Sequence, residues 1–268
     1  MEDALSLSVA GGETLPSRST VSIGMTTTTP AQRQAAQYAF PYHWLPQEND
    51  GAWTSGRDLG WSYEYLGVTG AVRDAVLGLG PRSVLDFGCG DGRLTVELLE
   101  RGVPAVTGID LDIAATHFAR GFTAGHVGVT IVCGDVADLD GSFDVTVAME
   151  VLEHIPDGEL ERVVTALRRL TAGRLVVSVP TTNVPLQAKH ERHYDLDLLT
   201  EHLAGFTIES VRWLHRPGKA ERRVTRLTLN RFGVVRHPRV LRYLAERYKR
   251  TSLDADERTG AHLLVVAS

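Results

Sequence analysis

Val84-Leu85-Asp86-Phe87-Gly88-Cys89-Gly90-Asp91-Gly92-Arg93 is the stretch that decides the fold. An apolar run of strand character enters a turn with glycine at every second position, and a helical pattern follows, as a buried strand feeding a helix would read. Gly88, Gly90 and Gly92 permit positive φ and a close approach of backbone to a ligand, and the helix after them offers free N–H groups. The dinucleotide spacing G-x-G-x-x-G would need glycine at position 93, where Arg93 stands. Asp86 and Asp91 add negative charge that a pyrophosphate would avoid, so a ligand with a cationic portion suits this turn better.

From residue 62 onward helical patterns alternate with short β-branched runs, which predicts an α/β fold: a doubly wound, mostly parallel sheet with helices on both faces. Strands are expected at Ser83–Phe87, Ala105–Ile109, Val129–Cys133, Phe143–Met149, Leu175–Val179, Thr207–Leu214 and His262–Ala267. Helices are expected at Gly92–Glu100, Ile113–Arg120, Asp157–Leu170 and Leu196–Leu203. The second strand ends in Asp110, 18 residues past Gly92, where such sheets place a carboxylate for two ribose hydroxyls, and Asp135 closes the third. Three acids then line one crevice at the carboxyl ends of successive strands. A ribose, an exocyclic amine and a positive amino-acid portion would together satisfy them.

In VLDFGCGDG, TGIDLD, GDV, FDVTVAMEVLEHIPD and LVVSVPTTN, taken in that order from about Val84 to Phe206, the chain resembles the class I S-adenosylmethionine-dependent methyltransferases. The likeness is to the broad group of quinone, sugar and natural-product methyltransferases. It implies a Rossmann-like sheet of seven strands with the last antiparallel, and S-adenosyl-L-methionine as cofactor. It places Asp86, Gly88, Cys89, Gly90 and Gly92 around the methionine portion. Asp110, with Leu111 beside it, takes the ribose; Asp135 and Val136 take the adenine; Met149 contributes backbone near the methionine end.

Methyl transfer from a sulfonium is an in-line displacement, so positioning alone can supply effective molarities of roughly 10⁵–10⁸ M. What remains is the acceptor's proton, for which a neutral histidine is the best-poised side chain near pH 7. His154 is the expected base or acceptor-orienting residue and His193 the second choice, whereas His190 reads as an exposed loop residue. No metal is expected. The alternative is that Glu150, Glu153 and His154 share a helical face and, with His193, form a divalent-metal set. That arrangement resembles the metal-dependent 2′-O-methyltransferases that cap the 3′ end of small RNAs.

The chain has 268 residues, 43% hydrophobic and 23% charged, with net charge −5, which excludes collagen-like, coiled-coil and wholly disordered readings. Two cysteines, Cys89 and Cys133, are too few for a disulfide framework, and no apolar stretch reaches the roughly 18 residues of a membrane span. A soluble, cytoplasmic protein is therefore expected, and the resemblance implies a role in biosynthesis. Residues 1–33 read as a flexible tail, residues 34–80 as an aromatic-rich arm or lid with a leading helix, and residues 81–268 as the methyltransferase domain, with a basic helical insertion at about 217–258. Residues 212–250 carry net charge +11 and the other 229 residues −16. The basic segment, with an amphipathic helix over His237–Arg250, is either a packed helical pair with solvated arginines or a surface for an anionic acceptor or membrane face. The expected activity is methylation of an oxygen on a small-molecule acceptor, without nucleic acid as partner. The competing classes are the small-RNA enzyme and a protein of this fold that holds the cofactor without methylating; the oligomeric state is left open.

Overall fold

A computed structural model describes residues 59–216 and 237–268, together with residues 29, 32, 47–49, 51–54, 218, 223, 229–230 and 233–234. The glycine turn lies in the middle of its main sheet. In chain order, β1 (Gln47–Asn49) and β2 (Ala52–Thr54) form a short antiparallel pair, and the leading helix α1 (Leu59–Gly78) follows. Next come β3 (Ser83–Phe87), α2 (Arg93–Glu100), β4 (Ala105–Asp110), α3 (Ile113–Thr123), β5 (Val129–Cys133) and β6 (Phe143–Met149). Then come α4 (Asp157–Leu170), β7 (Thr171–Pro180), α5 (Leu196–His202) and β8 (Ile208–Leu214). A second small pair, β9 (Leu229–Asn230) and β10 (Gly233–Val234), precedes α6 (Pro238–Tyr248), β11 (Asp254–Ala255) and β12 (His262–Ala267).

The main sheet runs in the order β11-β8-β12-β7-β6-β3-β4-β5. β3, β4, β5, β6 and β7 are parallel, and β12 lies antiparallel between β7 and β8. Chain order reverses at β3, with β4 on one side and β6 on the other, which is the switch point where open sheets bind ligands. The seven expected strands are all present. The sheet has eight because Asp254–Ala255, too short to show a period, pairs with Trp213–Leu214 at the β8 edge.

Alternate residues feed two cores, one on each face of the sheet. Val84, Val147, Val176 and Leu264 pack with Val72 and Val76 of α1 and Leu94 and Leu98 of α2. Leu85 and Ile109 pack on Val163, Leu167 and Leu170 of α4, while Leu175, Val177, Leu263 and Val265 meet Leu160 and Val164 of α4 and Leu199 of α5. Burying one such side chain stabilises by roughly 1.5–3 kcal/mol, so the apolar strand runs fix register by burial on both faces. Asp112 and Asp195 cap α3 and α5, each accepting from a backbone N–H of the first turn. α4 carries Asp157 and Glu159 in its first turn and Arg168 and Arg169 in its last, complementing the helix dipole.

The helix expected over His237–Arg250 is α6, followed by a wider turn at Lys249–Leu253. Its inner face packs on α1, with Tyr63 stacked on Tyr248 at 5.4 Å between ring centroids. The tail over residues 1–33, apart from Thr29 and Gln32, and most of the basic stretch between 217 and 236 lie outside the described residues, as do Tyr38, Phe40, Tyr42 and Trp44 of the arm. No helix among the described residues is long and apolar enough to cross a membrane.

Candidate functional site

All three loop glycines take positive φ: Gly88 at 70°, Gly90 at 54° and Gly92 at 83°. The turn is tied to the neighbouring strand by Gly88 and Cys89, whose N–H groups both donate to the Ile109 carbonyl at 2.8 and 3.1 Å. Gly90 N–H donates to Asp110 Oδ2 at 2.9 Å, and Asp112 N–H donates to Asp110 Oδ1 at 2.8 Å. Asp110 therefore holds the shape of the loop as well as facing the crevice. A side chain on Gly88 would strike Val151, so the glycine loop and the turn after β6 are pressed together.

Asp86 is 2% exposed and accepts a 2.6 Å hydrogen bond from the Thr95 hydroxyl. Burial, with the charges of Asp110 and Asp91 nearby, pushes its carboxyl up to about 7. Burial likewise raises Asp110 and drives the Cys89 thiol far up, so Cys89 stays an inert thiol at this position. Leu111, next to Asp110, is 72% exposed. Asp135 caps the turn at Val136–Asp138 and is gripped by Arg162 of α4 through two bonds of 3.0 and 2.8 Å, which hold its carboxyl below the usual range. Val136 is buried, and Met149 sits at the end of β6 opposite Ser178.

The turn after β6 differs from the helical face expected of it. Glu150 takes a left-handed φ of 57°, and a 3₁₀ turn spans Leu152–His154. The Glu150 carboxylate is held by other partners: it accepts from Ser178 Oγ at 3.0 Å and lies 3.0 Å from His262 Nδ1. His190 is not an exposed loop residue but 7% exposed, as is His193. The two rings share a 2.8 Å bond between His190 Nδ1 and His193 Nε2.

Backbone carbonyls fix the tautomers. His154 Nδ1 lies 3.0 Å from the Lys189 carbonyl and His193 Nδ1 3.1 Å from that of Val184, so both must carry hydrogen. With His193 in its neutral form its Nε2 accepts from His190 Nδ1, an arrangement that leaves lone pairs on Nε2 of both His154 and His190. Burial holds His154 down to about 4 and His190 down to about 3, so both are neutral at physiological pH. Glu153 joins them: it is 1% exposed, its Oε2 has no hydrogen-bond partner, and burial beside Glu150 raises its carboxyl well above the usual range. Ligand atoms of Glu153, His154 and His190 all lie within 4.8 Å of one another. His193 supports that set from behind, and Glu150 is outside it.

Four residues had no functional role assigned from the sequence: Arg162 of α4, Glu64 of α1, His262 at the start of the last strand, and Arg192, which donates to the Leu152 carbonyl at 3.0 Å and holds the turn. Only His262, a polar start to an otherwise apolar strand, offered a local signal.

Residues 84–173 match a family profile described as a methyltransferase domain. A ubiquinone biosynthesis O-methyltransferase of Pseudomonas paraeruginosa is 37% identical over 90 residues, which is 31% of this chain and 38% of that protein. Magnesium protoporphyrin IX methyltransferase from Synechocystis PCC 6803, solved with bound SAH, superposes with a TM-score of 0.52 at 18% identity, covering 78% of this chain and 87% of that one. The [4+2]-cyclase SpnF gives a TM-score of 0.56 at 18% identity over 91% of this chain and 98% of that one. The structural likenesses establish the fold, and the sequence match spans well under half of the curated relative.

Proposed function

We propose that this chain, whose residues 84–173 match a profile described as a methyltransferase domain, is an S-adenosylmethionine-dependent methyltransferase that methylates an oxygen of a small-molecule acceptor. The carrying observation is the row of acids at the switch point. Asp86 is raised by burial and by the charges of Asp110 and Asp91, and Asp110 by burial and the charge of Asp112, so a cationic ligand would relieve both. The residues present therefore fit S-adenosylmethionine, which when bound supplies a methyl group already activated on sulfonium sulfur. Asp86 would hold the ammonium, Asp110 the ribose hydroxyls, and Asp135 and Val136 the adenine, with Leu111 covering one face and Met149 bordering the methionine end.

His154 takes the acceptor's proton in this reading. Its Nδ1–H is anchored on the Lys189 carbonyl, so Nε2 is the free lone pair. His193, with both ring nitrogens engaged inside the protein, is assigned to support His190. The charge of the basic segment supports an acceptor with an anionic group. The test is formation of S-adenosylhomocysteine from S-adenosylmethionine across a panel of hydroxylated small molecules. Turnover with one or more supports the reading, whereas binding without turnover across the panel, in folded protein, identifies a protein that only holds the cofactor.

A second reading rests on Glu153, His154 and His190. Two imidazole lone pairs and a buried carboxyl oxygen without a partner are a donor set for a divalent cation. Such an ion would bind the acceptor's hydroxyl as a Lewis acid, and His193 would orient His190. Calorimetry with Mn²⁺ or Zn²⁺ decides between the readings: micromolar binding that His190→Ala abolishes favours the metal, and its absence leaves His154 as the base.

A further inference from the structure

Beyond the cofactor crevice and the histidine cluster, one charged group, 12% exposed at its side chain, ties the last strand to the turn after β6 and to the leading helix. His262 opens β12 with both ring nitrogens against carboxylates: Nδ1 lies 3.0 Å from Glu150 Oε2 and Nε2 2.9 Å from Glu64 Oε1. A carboxylate is an acceptor only, so each nitrogen must carry hydrogen, and a ring with two N–H groups is an imidazolium. We propose that His262 is a positioning residue: a standing imidazolium that clamps Glu150 on one side and Glu64 of the leading helix on the other, and so fixes the turn that seats the glycine loop. For what that turn serves, the proposal rests on the methyltransferase reading.

The path from the clamp to the site is short. Glu150 sits at the left-handed residue that begins the turn, a conformation that persists in a non-glycine residue only when its surroundings impose it. Its backbone N–H donates to the Ser178 carbonyl at 2.9 Å, and its side chain is taken by Ser178 Oγ and His262. The next residue, Val151, fills the space that a side chain on Gly88 would need, and Glu153 and His154 follow. Fixing Glu150 therefore fixes both the wall of the cofactor loop and the start of the histidine cluster. On the other side, Glu64 is the point at which α1 meets this network, so the clamp also ties the leading helix down over the carboxyl edge of the sheet.

The groups facing His262 come from every element around it. Glu150 belongs to the end of β6 and Glu64 to α1, while His215, at the end of β8, lies with its ring centroid 6.4 Å away and its Nε2 3.6 Å from Glu64 Oε2. Tyr248 of α6 holds the other side of His215 through a 2.8 Å bond. Glu150 in turn feels His190 and Lys189, and Glu153 is close enough to feel both Glu150 and His262. Burial works against a charged His262, but the two carboxylates outweigh it and hold the ring up at about 10.

The experiment is nitrogen-detected histidine NMR on the full chain labelled with ¹⁵N and ¹³C, titrated from pH 6 to 11, with hydrogen exchange of residues 59–78 read in parallel. His262 should show two protonated ring nitrogens through pH 8. A bare nitrogen at pH 7 overturns the proposal. Glu64→Gln, on the half-buried helix side, should lower the His262 titration by at least one pH unit and speed exchange in the leading helix at least tenfold. If either readout is unchanged, the clamp is refuted. Glu150→Gln supplies the same titration test from the other carboxylate should Glu64→Gln fail to fold. Calorimetry with S-adenosylmethionine is read separately, so failure of the methyltransferase reading would leave the His262 titration intact and be recognised as a different result.

Discussion

Replacing Gly88 with alanine tests how tightly the glycine loop is held against the turn after β6. The new Cβ would lie 2.5 Å from Val151 Cγ2, 2.9 Å from Cγ1 and 3.3 Å from Cβ, at a backbone φ of +70°. Val151 is β-branched, so rotation about χ1 replaces one methyl by the other and cannot clear the space. Left-handed backbone costs an alanine roughly 1–2 kcal/mol and overpacking a further 1–3, a total of about 2–5 kcal/mol. For a domain of this size that corresponds to a loss of roughly 4–20 °C in Tm. Urea denaturation of the wild type, Gly88→Ala, Val151→Ala and the double variant separates the two costs. Val151→Ala should return the packing share, giving a coupling of at least about 1 kcal/mol, while the backbone share persists. A Gly88→Ala protein within about 0.5 kcal/mol of wild type, or a cycle with no coupling, would refute the contact.

Other expectations follow from the same geometry. Asp86 has its carboxyl raised, so the folded state keeps a proton that the unfolded chain has lost, and stability should fall as pH rises from about 4 to 7, by on the order of 4 kcal/mol. Asp86→Asn should flatten that slope in urea titrations and leave the unliganded protein more stable at pH 8, while weakening S-adenosylmethionine binding; an unchanged slope would contradict the burial argument. Arg162→Ala should leave the thermal melt close to that of the wild type, because the Arg162–Asp135 pair is partly solvated and Asp135 keeps its cap on Ala137. A strongly lowered melting temperature would show that this pair does more than hold Asp135. His154→Ala should lower turnover at least a hundredfold with S-adenosylmethionine affinity retained, since general base catalysis contributes about 10²–10⁴-fold. Full activity would dismiss it as the base.

The sheet was legible because helices cover both faces: strands buried on two sides are written as continuous apolar runs, and β3, β4, β5 and β6 fall within a residue of their expected bounds. β7 is the exception, starting at Thr171 rather than Leu175. Thr171-Ala172-Gly173-Arg174 reads as a loop, yet α4 runs straight into the strand, with Thr171 Oγ1 donating to the Leu167 carbonyl at 2.7 Å. The glycine loop was legible because no other residue tolerates three positive φ values in five positions. The histidine cluster was not. His190 and His193 lie in Lys-His-Glu-Arg-His, a sequence of exposed character; His193 is held by the Val184 carbonyl, and the Lys189 carbonyl ties the segment to His154, 35 residues away. The His262 clamp spans 112 residues to Glu150 and 198 to Glu64, separations at which no local pattern carries a signal.

Whether a cationic nucleoside donor occupies the crevice of acids is decided by calorimetric titration of S-adenosylmethionine into the wild type and Asp110→Ala, with melting curves confirming that both are folded. Two hydroxyl hydrogen bonds to a carboxylate are worth roughly 1.5–3 kcal/mol each, so the variant should bind at least about a hundredfold more weakly. Absence of heat from folded wild type, or equal affinity in Asp110→Ala, would contradict the placement of the cofactor at the ends of β3, β4 and β5.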